Sequence, residues 1–144
     1  MLNPTKKDIR LESLEQLQEQ FSNAGFPSYT AKQVYEWLWK KGVRSFDEMS
    51  NISKSIRVWL NEHFHLLTVE ILTSQTSIDG TIKLAFKLHD GAVVEGVLIP
   101  SPNRMTACVS SQVGCSLSCT FCATGAMKRI RNLEPAEIYD QVWL

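Results

Sequence analysis

Three cysteines fall within eight residues, in Gly114-Cys115-Ser116-Leu117-Ser118-Cys119-Thr120-Phe121-Cys122. This C-x3-C-x2-C run constrains the fold more than any other feature, because its spacing suits one tight loop that aims three thiolates at a single point. A four-iron cubane held by three cysteines keeps one iron open, and a chelating ligand can bind there. A ferredoxin run would need C-x2-C-x2-C-x3-C-P, which is absent. A structural zinc site would use paired C-x2-C units with a fourth ligand nearby, and only Cys108 stands close enough to serve. The spacing therefore points to an open-iron [4Fe-4S] cluster on Cys115, Cys119 and Cys122, with zinc or an idle thiol group as the alternative.

The four cysteines fit metal or redox chemistry in a reducing compartment better than a disulfide framework. The start of the chain, MLNPTKKDIRLESLEQ, lacks the apolar segment of a secretory leader, and no run approaches the roughly 20 apolar residues of a membrane span. A cytoplasmic protein without a membrane partner is expected. Fifteen basic and fifteen acidic residues cancel, so any anion-binding surface must be local. One such stretch exists. No acidic residue lies between Glu95 and Glu134, whereas Arg104, Lys128, Arg129 and Arg131 do.

Apolar residues spaced two to four apart predict a helix from Asp8 to Phe21, and the same argument places others from about Thr30 to Gly42 and from Ser53 to Phe64. Ser53 is the expected N-cap of the third. After Leu66 the period shortens. TVEIL, TIKLAFKL and AVVEGVLIP read as a three-stranded meander with hairpin turns at Asp79-Gly80 and Asp90-Gly91. SPNRM then leads into TACVSS, a short candidate strand, and the cysteine loop is followed by a helix with Pro135 in its first turn. The fold class is α+β: a helical domain over residues 1–66, a β-meander linker over 67–103, and a third segment from 104 to 144. The last helix still runs at Leu144, which reads as the front part of a longer protein.

The stretch from Cys108 to Leu133, CVSSQVGCSLSCTFCATGAMKRIRNL, closely resembles the radical SAM adenine methyltransferases that modify ribosomal RNA, the RlmN family with Cfr as its relative. The resemblance extends through AKQVYEWLWKKG, FDEMSNISKSIR, SIDGTIK, VEGVLIP and EIYDQVWL, and so covers nearly the whole chain. Lys128 departs from it, standing where many members carry glycine. Val113 before Gly114-Cys115 looks like RlmN, whereas Cfr tends to carry cysteine there. That favours adenine carbon 2 as the target, with carbon 8 as the alternative.

The resemblance implies that residues 104–144 begin an incomplete radical SAM (β/α) barrel, whose remaining strands and methyl-carrying cysteine lie beyond residue 144. It implies S-adenosylmethionine and a [4Fe-4S] cluster as cofactors, and a fragment inactive alone. The implied partners are 23S rRNA, with tRNA as a further substrate, and an electron donor such as flavodoxin or ferredoxin; a monomer is expected. Two SAM molecules are consumed, one methylating a cysteine and one cleaved to a 5'-deoxyadenosyl radical. The methyl carbon radical then adds to the ring, giving a covalent protein–RNA adduct. Cys108 matches the family's resolving cysteine, which releases the adduct and leaves a disulfide with the methyl-carrying cysteine. Glu95 matches the proton acceptor.

Other readings of these residues remain. Cys108 also reads as a buried strand cysteine acting as a small hydrophobe. Glu95 is the only charged residue of AVVEGVLIP and shares strand parity with Val93, Val97 and Ile99, an apolar setting that would sharpen it as a base; the alternative is an ordinary solvent-facing glutamate. In the helical half, Lys32, Lys40, Lys41, Arg44, Lys54 and Arg57 alternate with Tyr35, Trp37, Trp39 and Trp59. Core roles are expected for the tryptophans and RNA contact for some of the basic residues. His63, His65 and His89 lack ligand spacing and read as structural or surface. A noncatalytic RNA-binding iron–sulfur fragment is the competing function.

Overall fold

The structure, a computed structural model, describes residues 6–117, 119–121 and 124–144. It divides into two compact units, Met1–Leu67 and Thr68–Leu144. In the first, strand β1 (Lys7–Asp8) pairs in parallel with β2 (Phe64–His65), and helices α1 (Leu14–Asn23), α2 (Ser28–Trp39) and α3 (Lys54–His63) lie between them in sequence. The helix expected from Asp8 begins only at Leu14. Ser13 is the reason: its hydroxyl accepts from the Gln16 amide at 3.2 Å while the Gln16 side chain accepts from the Ser13 amide at 2.7 Å, a reciprocal cap that fixes the start. Upstream, Asp8 caps a separate 3₁₀ turn over Ile9–Leu11, which leaves Leu11 exposed.

Leu17, Phe21, Val34, Leu38, Ile56 and Leu60 meet in a closed core. Trp59 packs edge-on against Phe21, Phe26 and Phe64 and stacks on His63 with centroids 4.5 Å apart. Such pairs contribute about 0.5–1.5 kcal/mol each beyond the area they bury. Trp59 is therefore held by four rings at once.

The second unit is built on four antiparallel strands in sequence order: β3 (Glu70–Thr76), β4 (Ile82–Lys87), β5 (Val93–Ser101) and β6 (Arg104–Cys108). The sequence suggested a three-stranded meander and, apart from it, a short strand at TACVSS, which the structure joins to the sheet as its fourth strand. Pro102 and Asn103 form a two-residue loop that pairs Ser101 with Arg104, so the SPNRM segment turns back instead of leading away. The earlier hairpins turn where expected, with Gly80 and Gly91 at φ of 81° and 85° and the Asp79 and Asp90 carboxylates accepting from the amides two residues on. Val94, Phe86, Leu88 and Val69 form the core with Val113 and Leu133. Gly96 belongs to that packing. A Cβ there would stand 2.8 Å from the Phe86 ring.

After β6 come two short strands, β7 (Gln112–Val113) and β8 (Arg131–Asn132), and helix α4 (Pro135–Trp143). Pro135 opens α4 as expected, and Glu134 and Glu137 form its reciprocal cap. The C-terminal half of the helix is tied to the rest of the unit: Asp140 accepts from the Val69 amide at 3.0 Å, and Gln141 exchanges two 2.9 Å bonds with the Ser110 backbone.

Candidate functional site

The cysteine loop is a closed excursion whose neck is the antiparallel pair β7 and β8. The Cys115 amide donates to Met127 O at 3.1 Å, and Ile130 donates to Val113 O at 2.8 Å. Two glycines permit this crossing. Gly114, at φ +74°, lies so close to Lys128 that a Cβ would fall 2.1 Å from its carbonyl oxygen, and a Cβ on Gly125 would meet the Cys119 carbonyl oxygen at 2.6 Å. Backbone therefore presses on backbone beside both described cysteines.

Cys115 and Cys119 are free and half-buried, and the Leu117 amide points at the Cys115 sulfur at 3.4 Å, a contact of the kind that tunes cluster sulfurs. Cys122 lies outside the described residues, as do Ser118 and Ala123. Among the described residues no three His, Cys, Asp or Glu side chains gather to hold a metal. The donors that are described suit a cluster: soft, half-buried thiols on a loop whose sequence has no carboxylate or imidazole.

Glu95 and Cys108 stand on one face of the sheet. The register pairs Cys108 with Val97, and Val97 shares parity with Glu95, so the thiol and the carboxylate are diagonal neighbours. Cys108 is exposed, which removes the reading of a buried hydrophobe. The apolar setting expected for Glu95 is not found either. Val94 and Gly96 point into the core, whereas Glu95 faces out and pairs with Lys83 Nζ at 2.8 Å. A cavity of about 320 Å³ joins Glu95 to the cysteine loop; its wall includes Val93 and Val94 beside Glu95 and, from the loop side, Gly114, Thr124 and Met127. Ser110 donates to the Glu95 carbonyl at 2.7 Å.

Sequence reasoning missed Lys83, although the signal was present: the Asp90-Gly91 hairpin fixes Ala85 opposite Glu95, and Lys83 is then its diagonal neighbour. It also missed the anchor of the loop. Arg131 in β8 grips Glu137 through two bonds of 2.7 and 2.8 Å and Asp90 through a third of 2.8 Å. His89 Nδ1 approaches the same Glu137 at 3.3 Å. Burial would raise Glu137, but the Arg131 bonds, the Glu134 amide and nearby His89 outweigh it and hold the carboxyl below its usual value. The Arg131 bond likewise lowers Asp90. Three elements, the β4–β5 turn, the loop neck and α4, thus meet on one guanidinium.

In the helical unit, Lys32, Lys40, Lys41, Arg44 and Lys54 are exposed. Lys40 pairs with Glu36 at 3.2 Å, and Lys41 lies 3.5 Å above the Trp37 ring. Arg57 is turned inward to the Asp47 carbonyl. Tyr35, Trp37, Trp39 and Trp59 all pack against the core. His63 is bonded to the Trp59 carbonyl at 2.8 Å, and no described helix is long and apolar enough to cross a membrane.

Residues 11–66 match the family model described as the ribosomal RNA large subunit methyltransferase N-terminal domain. The probable dual-specificity RNA methyltransferase RlmN of Cytophaga hutchinsonii is 59% identical over 96% of this chain and 38% of its own length. That of Flavobacterium johnsoniae is 56% identical over 95% of this chain and 39% of its own. The chain therefore spans under two-fifths of these relatives. Among solved structures, a radical SAM methyltransferase from Sphaerobacter thermophilus superposes with a TM-score of 0.81 at 36% identity, over 94% of this chain and 40% of that one. With this agreement along nearly its whole length, the chain belongs to the RlmN family of radical SAM RNA methyltransferases and corresponds to its N-terminal part.

Proposed function

We propose that this chain is the front portion of a methyltransferase acting on adenine carbon 2 of 23S rRNA, and of tRNA as a second substrate, through a methyl-cysteine intermediate. The observation that carries the reading is the shared sheet face of Glu95 and Cys108, with Glu95 opening into the cavity beside the cysteine loop. A base, a thiol and a candidate cluster loop are three parts such a reaction needs. Residues 104–144 are read as the start of the radical SAM core, residues 67–103 as the sheet that carries Glu95, and residues 1–66 as an RNA-facing domain.

Cys115, Cys119 and Cys122 would hold the cluster. The cluster would supply the electron that cleaves a bound S-adenosylmethionine to a carbon-centred radical, and S-adenosylmethionine would supply the methyl group that the electrophilic ring carbon receives. Glu95 then takes the ring proton from the adduct, and its exposure on the sheet face lets it reach a base presented from solvent. Once the adduct has given up its ring proton to Glu95 and its unpaired electron to the electron carrier, the Cys108 thiolate attacks the sulfur that joins protein to RNA; the S–S bond forms as the carbon–sulfur bond breaks, and the methylene carbon keeps that electron pair and takes a proton, giving a disulfide plus methylated adenine. The sulfur it attacks belongs to the part of the relatives that this chain does not span, so the chain alone is inactive. Flavodoxin or ferredoxin delivers the electron, and the enzyme works as a cytoplasmic monomer.

The order of events gives the test. Cluster assembly and radical formation need no thiol at Cys108, whereas release does. Cys108→Ala in the full-length enzyme is expected to trap an RNA-linked protein band that survives denaturation, with SAM consumed and little methylated adenine. Normal turnover would remove the resolving role; loss of the cluster would make Cys108 a ligand or a packing residue instead.

A further inference from the structure

Beside Glu95, on the side away from the cysteine loop, the sheet carries a second and smaller cavity of about 140 Å³ lined by Thr73, Gln75, Lys83, Leu84, Ala85 and Glu95. Its side-chain donors are a hydroxyl, an amide and an ammonium, all on the face that Glu95 and Cys108 share. Strand β3 is exposed along its whole length, so the face is open. The register gives that face three cations, Lys83, Lys87 and Arg104, against the carboxylates of Glu70 and Glu95. Lys83 and Glu95 are each about half exposed, at 51% and 57%. Their ion pair is therefore weak and exchangeable.

We infer that this pocket receives a backbone phosphodiester of the RNA strand, with Lys83 exchanging Glu95 for the phosphate. The inference rests on reading Glu95 as the proton acceptor. In the free protein the Lys83 ammonium, 2.8 Å away, occupies one carboxylate oxygen of Glu95, so that oxygen meets a substrate base only when the contact is exchanged. A phosphate bound to Lys83 neutralises that ammonium, and Thr73 and Gln75 supply further donors to its oxygens. Substrate binding and release of the base become one event. Lys83 is in this account a positioning residue, acting on the proton through Glu95.

The test measures binding of a fluorescent six-nucleotide single-stranded RNA to the chain over a salt series, for the unaltered protein and for Lys83→Met, Lys83→Arg and Glu95→Gln. Loss of one phosphate contact in Lys83→Met is expected to weaken binding roughly five- to tenfold and to reduce the salt slope by about 0.7. Lys83→Arg should keep most of both. Glu95→Gln should bind several-fold more tightly, because it frees the ammonium; a merely structural ion pair would give no such gain. Unchanged binding in Lys83→Met, weakening in Glu95→Gln equal to that in Lys83→Met, or no measurable binding by the unaltered chain would each overturn the inference. Turnover of Glu95→Gln in the full-length enzyme separates this from the underlying reading: lost product with an unaffected Lys83→Met removes the phosphate pocket alone, and retained product removes the role of Glu95 as base.

Discussion

Glu95 is two residues from Val93 and Val97 on its own strand, yet its nearest charged neighbour comes from the adjacent strand. Parity along β5 correctly grouped it with those valines; which face of the sheet they occupy was decided by Phe86 and Gly96, whose mutual fit turns the other face inward. A single strand does not carry that information. Cys108 shows the same limit, since its exposure depends on a hairpin closed by Pro102 and Asn103. Cys115 and Cys119 could be proposed as ligands from the sequence because ligand spacing is local. For Glu95→Gln in the full-length enzyme, size is kept and basicity lost, so product formation should fall about a hundredfold or more while RNA binding is not weakened. Equal loss of binding and product would assign Glu95 to docking or folding.

At the scale of elements, the cysteine loop depends on what its neck is fastened to. Arg131 holds β8 to α4 through Glu137, whose side chain is only 5% exposed, and to the β4–β5 turn through Asp90. Glu137→Gln should destabilise the second unit by roughly 1–2 kcal/mol in chemical denaturation, because the guanidinium loses one of its two bonds to residue 137 and keeps Asp90 as its one carboxylate partner there. The sign with pH follows from the lowered carboxyl of Glu137. Its contribution is complete above the ordinary carboxylate value and is lost as pH falls through the lower folded value. The unaltered protein should therefore lose stability on acidification more steeply than Glu137→Gln; parallel acid curves would contradict this. The sequence announced α3, α4 and the two Asp-Gly hairpins through caps and turn chemistry. It did not announce this clamp, which joins residues 41 apart in sequence.

The whole chain is electrically neutral and falls into two units, each with its own core. Its family was readable from the Cys108–Leu133 block, because that block combines ligand spacing with flanking residues that no periodicity argument would generate. The architecture around it was harder, since strand pairing joins residues far apart in sequence and no local pattern announces it. The central claim is that Cys115, Cys119 and Cys122 hold a [4Fe-4S] cluster. Anaerobic reconstitution of this chain with ferrous iron and sulfide tests it directly. The expected result is a brown chromophore, bleached by dithionite, with about four irons per chain, and neither in the protein with all three cysteines changed to Ala. A colourless chain that retains zinc, or a chromophore unchanged by the triple substitution, would contradict it.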